Sequence, residues 1–180
     1  MTATDPVHET VNAVYLSDSR RVLATRIDRE ELDMQKITPF LWFDGNVEEA
    51  MGFYVSIFKN AKVTTMTPGP TGTVMSATFE LDGQRFMALN GGPMFTFTPA
   101  ISFFVNCETQ EEVDEYWEKL SEGGKKERCG WLKDKYGLSW QVVPSILGQL
   151  LQDKDAGKAT RVVQVMLQMD KLDIERLAQA

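Results

Sequence analysis

The chain reads as an α+β domain made of two β-α-β-β-β modules followed by C-terminal helices. Strand-like runs flank an amphipathic helical run, and the order strand, helix, strands occurs twice. Asp82-Gly83 between two alternating runs marks a tight hairpin. The last 36 or so positions, 145–180, carry helical rather than strand spacing.

The elements follow in order. In residues 1–33, Val11–Leu16 and Arg21–Ile27 are strand-like and Ser17–Arg20 is turn-like, so this arm reads as a β-hairpin or as a partly flexible extension. Asp28–Leu32 reads as the start of a short helical turn. The main domain spans 34–180, with module one over about 36–92 and module two over about 98–144. Ile37–Phe43 has strand composition. Asp44-Gly45-Asn46 is turn chemistry, and Asn46 is placed to cap the next helix. Within Val47–Lys59, Ala50, Phe53, Tyr54 and Ile57 fall on one stripe. Ala61–Thr67 is a strand and Pro68–Gly72 a loop. Val74–Leu81 alternates, with Met75, Ala77, Phe79 and Leu81 on one face, and Gln84–Asn90 returns from the hairpin.

Gly91-Gly92-Pro93 opens a connection to about Pro99. Ala100–Asn106 is an apolar strand. Thr109–Glu122 is a helix that buries Val113, Tyr116, Trp117 and Leu120, and Gly123-Gly124 stops it. Lys126–Trp131 and Leu138–Val143 are short strands around the turn Asp134–Gly137. Ser145–Gln152, Thr160–Met169 and Asp173–Ala178 are helical.

Bulk chemistry narrows the function classes. The composition, 43% apolar and 25% charged, is that of a soluble globular domain. A net charge of -7 argues against nucleic acid as partner, because phosphate contacts need clustered Lys and Arg. Cys107 and Cys129 lack CxxC spacing, which speaks against a zinc site or a disulfide framework. No run approaches the roughly eighteen apolar residues of a membrane span, and the N-terminus lacks a signal-peptide pattern. A cytoplasmic location is the expectation.

Phe43-Asp44-Gly45-Asn46 with Glu49-Ala50 and Phe53-Tyr54 resembles the start of the vicinal oxygen chelate superfamily, the glyoxalase, bleomycin-resistance and dioxygenase group. Asn90–Pro93, Ser102–Val105, Trp131, Asp134–Gly137 and Trp140-Gln141 resemble its PhnB-like branch, whose members carry the label 3-demethylubiquinone-9 3-methyltransferase. The resemblance covers about residues 36–178 and implies two βαβββ modules forming a curved mixed sheet around a cleft.

Metal enzymes of that superfamily hold a divalent ion with one side chain from each of four strands. By the resemblance those positions fall at Pro39, near Phe86 or Met87, at Ala100 and at Gln141. Only Gln141 offers a donor, and the single His, His8, lies in the unmatched arm. No metal and no cofactor are expected. S-adenosylmethionine transfer needs a Gly-rich turn opening a helix. Gly91-Gly92 precedes an aromatic loop and Gly123-Gly124 ends a helix, so no such cradle is present in the sequence.

If the resemblance holds, Gln141 faces the cleft. Alternation then puts Ser139 and Gln141 on the cleft face of the closing strand, Pro39, Leu41 and Phe43 on that of the opening strand, and Ala100, Ser102 and Phe104 on that of the fifth strand. These are an apolar pocket or simply core. Trp131 and Trp140 are either core anchors or stacking surfaces, and Trp131 joins the pocket candidates. Cys129 lacks a His base and is a poor nucleophile. The expected function is a metal-independent small-molecule-binding protein, or an enzyme whose reaction these residues do not name. The alternatives are a metal-dependent lyase, isomerase or dioxygenase, and a methyltransferase. Exposed sheet edges lead us to expect a homodimer.

Overall fold

Strand β1 (Phe40–Phe43) comes first in the computed structural model, which describes residues 36–180. The hairpin expected over residues 11–27 lies outside the described residues. Residues 39–180 form one contact unit. After β1 come helix α1 (Val47–Ile57) and strands β2 (Ala61–Pro68), β3 (Val74–Leu81) and β4 (Gln84–Asn90). The second module repeats this with β5 (Ser102–Cys107), α2 (Gln110–Leu120), β6 (Lys125–Lys126), β7 (Trp131–Lys133) and β8 (Ser139–Pro144). Helices α3 (Ile146–Leu151), α4 (Ala156–Met166) and α5 (Ile174–Ala178) close the chain.

Each module makes a four-stranded mixed sheet, and the two share one topology: β1-β4-β3-β2 and β5-β8-β7-β6. The first and last strands of each module pair in parallel, because a helix carries the chain across between β1 and β2 and between β5 and β6. The remaining pairs are antiparallel. The α+β architecture of two such modules is thus the one the residue pattern predicts.

Helix burial follows the spacing. Ala50, Tyr54 and Ile57 of α1 are buried, and so are Val113, Tyr116, Trp117 and Leu120 of α2. The start of α1 differs from expectation. Asn46 makes no capping hydrogen bond. Asn90, at the end of β4, accepts from the Val47 N–H at 3.0 Å through Oδ1 and donates from Nδ2 to the Val74 carbonyl at 2.8 Å. The helix is therefore capped from a strand distant in sequence, which local turn chemistry cannot reveal.

The expected strand Lys126–Trp131 is also broken. Cys129 (φ 59°) and Gly130 (φ 80°) are both left-handed, a conformation no strand sustains. This bend is tied down from outside the sheet: Cys129 N–H donates to the Met169 carbonyl at 2.9 Å and Gly130 N–H to the Asp170 carbonyl at 2.7 Å.

The helix-facing sides of both sheets merge into one core. Aromatic rings stitch the modules together: Phe86 meets Phe103 at 5.0 Å, Phe58 meets Tyr116 at 5.2 Å, and Tyr54 meets Trp140 at 5.5 Å between centroids. A second, smaller core joins Val143 of β8 to Leu147, Leu150, Val162, Leu172 and Leu177 of the C-terminal region. Those helices thus pack on the face of the second sheet that looks away from α2.

Candidate functional site

Register fixes which side chains share that outward face. Phe104, Gln141 and Trp131 form one cross-strand row, Ser102, Ser139 and Lys133 the next, and Asn106 pairs with Val143. Their neighbours Phe103, Val105, Trp140 and Val142 turn the other way, into the main core. Five of the residues named from sequence, Ser102, Phe104, Trp131, Ser139 and Gln141, are thereby brought together. Gln141 is fixed: its Nε2 donates to Ser102 Oγ at 2.9 Å, which leaves the amide oxygen as the acceptor it can offer.

The remaining candidates lie elsewhere. Leu41 and Phe43 are 5% and 3% exposed and sit in the main core under α1, so the faces of β1 are the reverse of those expected. Phe40 and Trp42 take the outward side, in register with Met87 and Leu89. The physical reason is that Pro39–Phe43 has no polar residue. Alternation separates two faces there but does not say which meets the helix. Pro39 precedes β1 and accepts from the Met87 N–H at 2.9 Å through its carbonyl. Ala100 stands before β5 in the connecting turn and is exposed.

A cavity of about 340 Å³ opens over the Phe104–Gln141–Trp131 row. Its floor is the sheet, with Asn106 and Val143; its far wall comes from Leu147, Gly148 and Leu151 of α3 and Met166 of α4. The sequence did not assign these wall residues to the site, although Val143 shares the parity of Gln141 and carried the signal. Ser145 and Cys129 complete the rim, and Cys129 Sγ donates to the Met166 carbonyl at 3.6 Å. Among the described residues no Asp, Glu, Lys or Arg lines this cavity. A larger groove of about 510 Å³ lies between the modules. Its floor is the core itself, including Phe58, Phe86 and Trp140, and Asp82, Glu108 and Glu112 stand around it. We take the smaller cavity as the candidate site, because it combines an open apolar wall with a positioned amide.

One carboxylate is buried away from that cavity. Asp134, 3% exposed, accepts from Tyr54 Oη at 2.8 Å and Trp140 Nε1 at 2.9 Å through Oδ2, and from the Tyr136 and Leu138 N–H groups at 2.9 and 3.0 Å through Oδ1. Burial pushes its carboxyl above the ordinary value, against the downward pull of the Trp140 and Tyr54 hydrogen bonds. Burial, then the Asp134 charge, holds the Tyr54 phenol well above its own ordinary value. This group joins α1 of module one to the β7–β8 turn of module two. Its donors are committed to it, and it builds structure. Burial also pushes the Cys107 thiol up to about 12, which makes it chemically inert at neutral pH.

The donor set does not fit a metal. The four positions that the resemblance assigns to metal ligands carry proline, phenylalanine or methionine, alanine and glutamine. Among the described residues no three His, Cys, Asp or Glu side chains converge. A methyl-donor cradle fares no better. Gly124 packs so tightly that an added Cβ would lie 2.1 Å from the Lys133 carbonyl, so it serves the approach of two backbones. Gly91 likewise lies under the Trp42 ring.

The model of the 3-demethylubiquinone-9 3-methyltransferase family matches residues 35–143. A PhnB protein of Bacillus cereus, described as a 3-demethylubiquinone-9 3-methyltransferase, is 42% identical, with 62% of this chain and 100% of that one covered and a TM-score of 0.59. Protein PA1353 of Pseudomonas aeruginosa is 21% identical, covers 62% of this chain and 98% of its own, and has a TM-score of 0.53. The fosfomycin resistance protein FosX of Listeria monocytogenes is 18% identical, with 66% and 98% covered and a TM-score of 0.52. The last two share the fold. No curated protein matches the chain.

Proposed function

For a chain that belongs to the 3-demethylubiquinone-9 3-methyltransferase family, the PhnB-like branch of the vicinal oxygen chelate superfamily, we propose metal-independent binding of a small, uncharged, largely apolar molecule. The observation that carries this reading is the cavity beside Gln141, walled by apolar side chains of α3 and α4 and lined by no charged side chain among the described residues. An ion placed there would lose its hydration without gaining a countercharge among the described residues, whereas a neutral molecule gains from burial and from the Gln141 amide. Among the described residues the cavity holds no base beside Cys129 and no pair of carboxylates, so binding is better supported than turnover. The family's name carries no reaction over to this chain, because the residues do not form a methyl-donor site.

Fluorescence titration with the neutral dye N-phenyl-1-naphthylamine tests the reading. Dye binding that survives chelator and falls about tenfold or more in Trp131→Ala is expected. No binding by the wild type, or binding that chelator abolishes, would sink it.

We also propose, on a separate observation, that the protein is a homodimer. The outward face of the first sheet presents Phe40 and Met87, 55% and 40% exposed, and among the described residues no helix covers it. Two reduced thiols fit a cytoplasmic location, and no helix among the described residues is long and apolar enough to cross a membrane.

A further inference from the structure

Gly148 occupies the interior of α3, where glycine is the poorest residue after proline. Glycines in this fold mostly have a visible cause: a left-handed φ, as at Gly130 and Gly137, or a backbone or ring where Cβ would be, as at Gly124 and Gly91. Gly148 has neither. Its φ is not left-handed and a Cβ added there would meet nothing within 4 Å. The chain could carry alanine at this point without a clash, and the helix would be the firmer for it.

What distinguishes Gly148 is its place. It lies between Leu147 and Leu151 on the wall of the 340 Å³ cavity, across from the Phe104–Gln141–Trp131 row. Gly148 is itself exposed, and a Cβ added there would stand in open space on the edge of that cavity. Gly52 is a fitting comparison: it too sits inside a helix with open room for a Cβ, but on α1, where it lines neither cavity.

We propose that Gly148 is a size-determining residue of the ligand cavity, holding open the apolar end so that a ligand reaches from Gln141 to the wall of α3. This rests on the cavity being the binding site. It also sharpens the class of ligand: a neutral molecule with one hydrogen-bonding group toward Gln141 and a hydrocarbon part that lies over Gly148, against Leu147, Leu151 and Met166.

The experiment uses the full chain, two neutral probes of different length, N-phenyl-1-naphthylamine and indole, and the variants Gly148→Ala, Gly148→Leu and Gly52→Leu. Gly148→Leu is expected to weaken the longer probe by about tenfold or more while indole changes less than about threefold. Gly148→Ala, the milder variant, should lie between wild type and Gly148→Leu and melt no lower than wild type. Gly52→Leu should leave both probes unchanged. Equal weakening of both probes in Gly148→Leu, unchanged binding in both Gly148 variants, or an equal effect of Gly52→Leu overturns the proposal while leaving the cavity in place as the site. Absence of probe binding in the wild type removes the site itself, and the proposal with it.

Discussion

The Asp134 side chain accepts from four donors, and the two bonds at Oδ2, from Tyr54 and Trp140, depend on its being a carboxyl group. Asparagine is nearly the same size but would set an NH2 against Tyr54 Oη and Trp140 Nε1. The phenol can rotate to accept; the indole N–H cannot. Asp134→Asn is therefore expected to destabilise the fold by about 1–3 kcal/mol, the cost of leaving a buried donor unpaired. A urea midpoint equal to that of wild type at equal slope would refute this. Sequence showed only part of this residue's role. Asp134 next to Gly137 announces a turn, and the turn is there, with Asp134 Oδ1 bonded to its backbone. That Oδ2 also takes the Tyr54 hydroxyl from α1, eighty residues earlier in the chain, is a tertiary fact without a local signal.

At the scale of elements, the C-terminal helices are short, and α3 and α5 hold too few residues to persist alone. They are held by the Val143 core, in which Leu172 is fully buried and lies against Gly130. Leu172→Ala should cost about 2–5 kcal/mol, as large-to-small changes at filled sites do, and chemical denaturation would measure it. A loss below about 1 kcal/mol would show that these helices do not share the stability of the sheet they cover. The elements themselves were largely legible. Asp82-Gly83 fell between β3 and β4, the helical stripes fell on the buried faces, and Gly123-Gly124 fell just past α2. Two things were not. In β1 every residue is apolar, so the faces were assigned in reverse. Between β6 and β7 the left-handed pair Cys129-Gly130 is held by the Met169 and Asp170 carbonyls, and nothing in the local letters foretells a brace from forty residues away. The site shows the same division. That Ser139, Gln141 and Val143 share a face followed from strand parity, but the row with Phe104 and Trp131 depended on strand pairing, and the wall on α3 and α4 on where the helices dock.

For the whole molecule, one core spans both modules on the helix side, and the outward faces of the two sheets differ. The second sheet carries helices there; the first carries Phe40, Trp42 and Met87 in two adjacent rows with Leu89. An apolar strip of this kind, which gives way to Thr78 and Ser76 on β3, is stabilised by another surface rather than by water, and a second copy is the partner we propose. Sedimentation equilibrium should return about twice the chain mass of 20.3 kDa, and Met87→Glu should bring it down to one chain without loss of helix signal. A wild-type monomer at tens of micromolar would end this idea. The net charge of -7 adds repulsion between copies, so the association should tighten with salt if the contact is apolar.

Asn90 sets a clock for this protein. Asn followed by Gly is the pair most prone to close into a succinimide, when the glycine nitrogen attacks the side-chain carbonyl, and Asn90-Gly91 is such a pair. In the folded chain both ends of the Asn90 amide are pinned, to Val47 and Val74, and the Gly91 nitrogen is turned away to the Phe43 carbonyl at 3.0 Å. The nucleophile and its target are thus both engaged in hydrogen bonds, one of which, from the Val47 N–H to Asn90 Oδ1, starts α1. Chemical ageing at this position becomes a property of the unfolded fraction, so the lifetime of the molecule is written in its stability.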